Sequence, residues 1–101
     1  FDSAIITPFI DANCISIFNQ YTIRHSRRDE LQNYLNEHTI GNCIYYPISL
    51  HVQPCFSDLG YKEGDCPESE KASKEVISLP VFPGLTQGQL DYVVQVINSF
   101  N

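Results

Sequence analysis

The sequence predicts a small α/β (α+β) layer fold: a three-stranded sheet with helices packed on one face, in the order strand, helix, strand, short helix, helix, strand, helix. Three observations predict it. Two segments carry apolar residues at helical spacing behind capping signals, at Ser26 and at Thr86. Three runs of β-branched and aromatic residues stand ahead of and between the helical segments. A chain of 101 residues, 43% of them hydrophobic, is long enough for one core and too short for two.

Residues 1–13 hold Pro8 and short apolar stretches with no sustained period. They read as an extended lead-in that packs against something outside the chain, ahead of a domain spanning 14–101. From Cys14 to His25 the pattern alternates as a strand does. Ile15, Ile17, Tyr21 and Ile23 share a face that Asn19 interrupts, which marks an edge, a bulge or a polar contact. Ser26 with Asp29 matches a capping box and opens a helix whose stripe is Leu31, Tyr34, Leu35 and His38, with Gly41 as its stop. Cys43 to Tyr46 is a short second strand, ended by Pro47.

Leu50 to Leu59 is a helical or irregular turn interrupted by Pro54, and Gly60 to Pro67 is an acidic loop. Pro67 suits the first turn of a helix running to about Val76, on which Glu70 and Lys74 stand four apart on a solvated face. Ile77 to Phe82 is the third strand, which Pro80 demotes to an edge or a bend. Thr86 and Gln89 form a second capping box, and Leu90, Val93, Val94, Ile97 and Phe100 make the apolar face of the last helix. The sheet is short, and its other face is left for something else to cover.

The charge pattern narrows the function classes. The net charge is -6, and the one basic cluster, Arg24, His25, Arg27 and Arg28, is followed at once by Asp29 and Glu30. A surface of that kind does not replace phosphate counterions, so neither nucleic acid nor an anionic membrane is the expected partner. No apolar run approaches a membrane span. Cys14, Cys43, Cys55 and Cys66 include no C-x-x-C and lie among apolar or aromatic neighbours, which favours reduced thiols over disulfides. His25, His38 and His51 show no ligand spacing to the cysteines, so no metal is expected.

Five runs then stand in one order. They are Tyr21-Thr22-Ile23-Arg24 with Arg28-Asp29-Glu30-Leu31; Gly41 to His51, reading GNCIYYPISLH; Leu59-Gly60-Tyr61; Pro67-Glu68-Ser69-Glu70-Lys71; and Leu79 to Pro83 followed by Leu85-Thr86. From about Tyr21 onward this resembles the C-terminal small domain of the DegT/DnrJ/StrS family of sugar aminotransferases. The resemblance implies an enzyme of the aspartate-aminotransferase fold type. It would be a cytoplasmic homodimer that binds pyridoxal 5'-phosphate (PLP) in a large N-terminal domain and moves an amino group from L-glutamate to a keto sugar nucleotide. Its products would feed surface polysaccharide, lipid-modification or antibiotic-sugar pathways. Minority branches of the family use PLP for dehydration, and the residue that decides between the two reactions would lie in the large domain.

PLP needs a lysine, an acid against its ring nitrogen and a phosphate cradle. Lys62, in an acidic loop, and Lys71 and Lys74, on a solvated helix, are the only lysines, and no Gly-rich loop opens a helix. Alone, this chain is expected to be inactive and to bind no cofactor.

The resemblance implies substrate contacts at Tyr45, Tyr46 and His51. Read without it, Tyr45 and Tyr46 are half-buried strand tyrosines with hydroxyls reaching water, and His51 is a histidine making a local hydrogen bond at the start of a helical turn. The family often has histidine where this chain has Tyr45; tyrosine keeps a hydrogen-bonding tip but has no group titrating near neutrality. Ser49 replaces the family's usual proline. Arg24 could meet an anionic substrate group or lie solvated beside Asp29. Two rivals remain: a free-standing, non-catalytic binding or regulatory module of the same fold, and a disulfide-stapled secreted domain, which four free thiols would exclude.

Overall fold

Two prolines set the size of the sheet. The computed structural model describes residues 4–100, so residues 1–3 of the predicted lead-in lie outside the described residues. Strand β1, Tyr21–Arg24, pairs antiparallel with β2, Val76–Leu79, with Tyr21 opposite Leu79 and Arg24 opposite Val76. On the outer edge of β1, Ile6 and Arg24 exchange both backbone bonds, at 3.0 and 2.9 Å. The next such pair in that register would set Pro8 against Thr22, and proline has no N–H to give. On the outer edge of β2, Cys43 and Ser78 exchange bonds at 3.1 and 2.7 Å. There the next pair would bring Gly41 to Pro80, and in the other direction the chain bends at Tyr45 toward Pro47.

The predicted three-stranded sheet is therefore corrected to two strands flanked by single bridges, and the predicted strand Cys43 to Tyr46 shrinks to its first residue. The predicted strand from Cys14 to His25 keeps only its last third. Ile15 and Ile17, expected to face inward, are 97% and 91% exposed. Phe18 turns the chain at φ 45, and the break seen at Asn19 is a bend.

Alternation along the strands puts Tyr21, Ile23, Ile77 and Leu79 on one face and Thr22, Arg24, Val76 and Ser78 on the other. The first face meets helices α1, Arg28–Glu37, and α3, Gln87–Asn98. Ile23 and Ile77 bury completely there against Leu31, Leu35, Val96 and Ile97. On the second face the hydroxyls of Thr22 and Ser78 lie 2.8 Å apart.

Helix α1 begins one residue later than the Ser26–Asp29 box predicts. Arg27 is its N-cap, no side chain caps it, and the Arg27 N–H donates instead to His25 Nδ1 at 3.0 Å. Asp29 is drawn away by Arg28, whose Nε lies 2.6 Å from its Oδ1. The helix also stops before Gly41. Thr39 takes the left-handed conformation at φ 58, its N–H donates to Asn36 O, and Ile40 N–H donates to Leu35 O at 2.9 Å. This is a Schellman closure, sealed by burial of Ile40 beside Leu35.

Pro54 does separate two 3-10 turns, Leu50–Val52 and Pro54–Leu59. Helix α2, Pro67–Glu75, starts on its proline as predicted and runs straight into β2 with no connecting loop. Thr86 caps α3 in the predicted box: its Oγ1 accepts from Gln89 N–H while its own N–H donates to Gln89 Oε1. The apolar face of α3 is rotated from the expected one. Val96 and Ile97 are buried and Val93 and Phe100 pack against the core, whereas Leu90 and Val94 are 41% and 37% exposed.

Candidate functional site

The segment Asn42–His51 is held at both ends. At its start, Asn42 Nδ2 donates to Asn36 Oδ1 and to Ile40 O, and Asn42 Oδ1 accepts from Gln32 Nε2 at 3.0 Å. These bonds fasten the segment to α1, and the Cys43–Ser78 bridge fastens it to β2. At its end, Ser69 Oγ donates to Ser49 Oγ at 3.2 Å and His51 Nε2 lies 2.8 Å from Glu70 Oε1. Between these anchors the chain projects Tyr45 and Tyr46, whose rings meet edge to face at 5.7 Å.

Tyr45 borders two cavities. The larger, about 440 Å³, is lined by Asn42, Cys43, Ser78, Pro80 and Phe82 among others. The smaller, about 240 Å³, lies between Tyr46, Ser49 and Leu50 on one side and Ser69 and Ser73 of α2 on the other. No charged side chain and no histidine lines either cavity. Beside apolar side chains such as Leu79, Val81, Ile48 and Val76, they offer phenols, hydroxyls, carboxamides and a thiol: neutral groups that donate and accept hydrogen bonds. A hydrogen bond with the Cys43 side chain, and then the charge that sulfur can carry, raise the Tyr45 phenol above its ordinary value.

The structure thus brings Tyr45 and Tyr46 together and sets His51 apart. His51 lines neither cavity that Tyr45 borders. Its side chain is 9% exposed and engaged with Glu70, itself 13% exposed. Sequence reasoning missed Glu70 and took it for a solvated partner of Lys74. Lys74 turns instead to Glu63, at 3.7 Å, and Glu70 Oε1 accepts from Gly64 N–H at 2.8 Å and from Cys66 N–H at 3.3 Å as well as meeting His51. The Gly64 amide above all holds the Glu70 carboxyl below its usual range; desolvation opposes it, and the His51 and Cys66 bonds add to it. A glutamate four residues beyond a loop cysteine carries no sequence signal of this role.

Arg24 also departs from its expected place beside Asp29: its Nε and Nη2 both donate to Glu75 Oε2, at 3.1 and 2.7 Å. All four cysteines are free thiols, three of them exposed. Among the described residues no group of three or more His, Cys, Asp or Glu side chains could hold a metal ion. No helix among them is long and apolar enough to cross a membrane.

This fold is shared with solved structures that include a DegT DnrJ EryC1 StrS aminotransferase. Over 96% of its length the chain superposes on S. venezuelae DesV in complex with a ketimine intermediate, with a TM-score of 0.91 at 28% identity. A DegT DnrJ EryC1 StrS aminotransferase from Brucella abortus superposes with a TM-score of 0.86 at 31% identity. The chain covers 26% of each of those two chains. The class is therefore an α/β aminotransferase fold.

Residues 6–98 match the DegT/DnrJ/EryC1/StrS aminotransferase family, and the chain belongs to that family. A relative from Geobacillus stearothermophilus named "Pleiotropic regulatory protein" is 51% identical over 95% of this chain. The UDP-2-acetamido-2-deoxy-3-oxo-D-glucuronate aminotransferase of Pseudomonas aeruginosa is 32% identical over 92% of it. The chain spans about a quarter of the length of these relatives.

Enzymes of this family generally depend on PLP. The described residues do not fit that cofactor. Lys62, Lys71 and Lys74 are all exposed, and none lines a cavity that Tyr45 borders. The N-terminus of α3, where a phosphate could sit, is closed by its own Thr86–Gln89 box.

Proposed function

We propose that this chain is the C-terminal small domain of a PLP-dependent aminotransferase that moves an amino group from L-glutamate to a keto sugar nucleotide. In this reading the cofactor, its lysine and the phosphate cradle belong to a large N-terminal domain, in a cytoplasmic homodimer. Residues 14–101 form the small domain, and residues 1–13 lead into it. The small domain supplies a wall of the substrate site, with Tyr45 and Tyr46 touching the sugar and His51 serving the same wall from behind. On its own the chain neither binds PLP covalently nor transaminates.

One observation carries the reading. The two cavities that meet at Tyr45 are lined by apolar side chains and neutral hydrogen-bonding groups and no charges, which suits a sugar ring with its hydroxyls and not phosphate. The fold likeness to DesV supports it. The test uses the polypeptide expressed from the reading frame that encodes this chain. Tyr45→Phe raises KM for the keto sugar nucleotide about tenfold, the worth of one lost hydrogen bond to substrate. The half-reaction with L-glutamate keeps its rate. Equal KM values for Tyr45→Phe and the unaltered protein would refute the assignment.

A second reading is a regulatory module without catalysis. It is favoured by the name of the 51% identical relative, "Pleiotropic regulatory protein". Failure of the same polypeptide, loaded with PLP, to accept an amino group from L-glutamate would select this second reading.

A further inference from the structure

The smaller cavity at Tyr45 has two opposing walls. One is the turn from Tyr46 to Leu50, and the other is the face of α2 that carries Ser69 and Ser73. Two side-chain contacts tie those walls together at one end: Ser69 Oγ to Ser49 Oγ, with Ser49 buried at 5% exposure, and His51 Nε2 to Glu70 Oε1. The second contact is the shorter, at 2.8 Å, and the more shielded. Because the same Glu70 oxygen also receives the Gly64 and Cys66 amides, the carboxylate is itself immobilised by the loop before α2. His51 thus binds to a fixed point, and the turn that carries Tyr45 and Tyr46 is fixed through it.

We infer that His51 and Glu70 are positioning residues for the sugar-binding wall: their contact sets the separation of the Tyr46–Leu50 turn from α2, and with it the placement of the two phenols. The inference rests on the reading of Tyr45 and Tyr46 as sugar contacts. Neither His51 nor Glu70 lines the cavity, so the pair acts through the turn. The two partners are not equivalent. Loss of His51 leaves the Gly64 and Cys66 amides on Glu70, whereas loss of the carboxylate frees the turn and the loop together. Substitutions at His51 therefore isolate the contact.

The experiment compares His51→Ala, His51→Gln and Tyr45→Phe in the polypeptide expressed from the encoding reading frame. The probe is whichever UDP- or dTDP-linked keto hexose the unaltered protein turns over fastest. His51→Ala is expected to raise KM for that probe about tenfold, a loss on the scale of one hydrogen bond. KM for L-glutamate and kcat stay within about twofold. His51→Gln keeps an N–H that reaches Glu70 Oε1 and recovers KM to within about threefold of the unaltered protein. A merely structural role would not produce this split between the two KM values, nor the rescue.

If His51→Ala does not fold, His51→Asn, whose amide is too short to reach Oε1, carries the same expectation against His51→Gln. An unchanged probe KM in His51→Ala, alongside a raised one in Tyr45→Phe, overturns the positioning role and leaves the sugar contact standing. Unchanged KM in both variants, or no turnover of any probe by the unaltered protein, overturns the underlying reading and this inference with it.

Discussion

Arg28 Nη1 lies 3.0 Å from the carbonyl oxygen of Val76 and 3.0 Å from that of Ser73. One guanidinium, 8% exposed along its side chain, thereby joins the first turn of α1 to the end of α2 and the first residue of β2. Helix C-termini leave carbonyls without partners, and a cation there satisfies them and suits the helix dipole. Because α2 passes into β2 with no loop between them, this arginine supports the junction on which the pairing of β2 depends.

Arg28→Met should lower stability by about 2–3 kcal/mol, the range for hydrogen bonds to a charged donor. Arg28→Lys should recover only part of that, because a single ammonium cannot hold the Ser73 and Val76 carbonyls, which Nη1 bonds, and also the Asp29 carboxylate, which Nε bonds. Urea midpoints measure both. An unaltered midpoint in Arg28→Met would show that water replaces the guanidinium without loss.

Thr39 closes α1 in the left-handed region, where a β-branched residue is disfavoured. Thr39→Gly should therefore stabilise the chain by roughly 0.5–1 kcal/mol, net of glycine's larger unfolded-state entropy. A higher melting temperature is the expected result. A lower one would mean that the threonine side chain contributes more than its backbone conformation costs.

The rotated face of α3 has an energetic signature. Ile97→Ala should cost about 2–5 kcal/mol by leaving a cavity in the core, and Leu90→Ala about 1 kcal/mol or less. Ile97 is 1% exposed, whereas Leu90 is 41% exposed. Equal losses in the isolated chain would contradict the observed orientation.

Glu70 makes the acidic loop sensitive to pH. Its folded-state carboxyl is held below the ordinary value, chiefly by the Gly64 amide. Its contribution to stability is therefore fully present above the unfolded carboxylate value of roughly 4.3 and is lost as pH falls through the lower folded value. Hydrogen-exchange protection of the Gly64 and Cys66 amides should be flat from neutrality down to about pH 5 and then decline. In Glu70→Ala, which removes the acceptor, the protection should be low throughout. Protection that survives that substitution would assign the ordering of the loop to other contacts.

The Tyr45 phenol should titrate above an ordinary tyrosine, and Cys43→Ala should bring it back down, because the Cys43 side chain is the first cause of the shift. The pH dependence of the Tyr45 ring resonance, assigned by its absence from Tyr45→Phe, reads the change. The same alkaline midpoint with and without the cysteine would remove Cys43 from the account.

Local signals carried much of the fold. The Thr86–Gln89 box, Pro67 at the start of α2 and the Leu31–Leu35 stripe depend on residues within a turn or two of each other, and all three stand where the sequence puts them. Ser26 does not cap the helix: Arg27 is the N-cap, with its amide on the buried His25 Nδ1. The stripe on α3 failed similarly. With apolar residues at 90, 93, 94, 96, 97 and 100, two overlapping faces are available, and only contact with the sheet selects one.

The candidate site was legible as a motif and not as an arrangement. Tyr45, Tyr46 and His51 stand close in sequence, yet two of them border a cavity and the third faces away into a carboxylate from another helix. By itself the sequence determined which segments are helical and which family the chain resembles, because helical periodicity, the Thr86–Gln89 box, Pro67 and motif order are local. Only the tertiary structure decided the number of strands, the buried side of α3 and the partner of His51. Each of these depends on which distant segment arrives opposite. Pro8 and Pro80 show the division plainly: the sequence says that both lack an N–H, and only the register of the sheet says which ladders that absence ends.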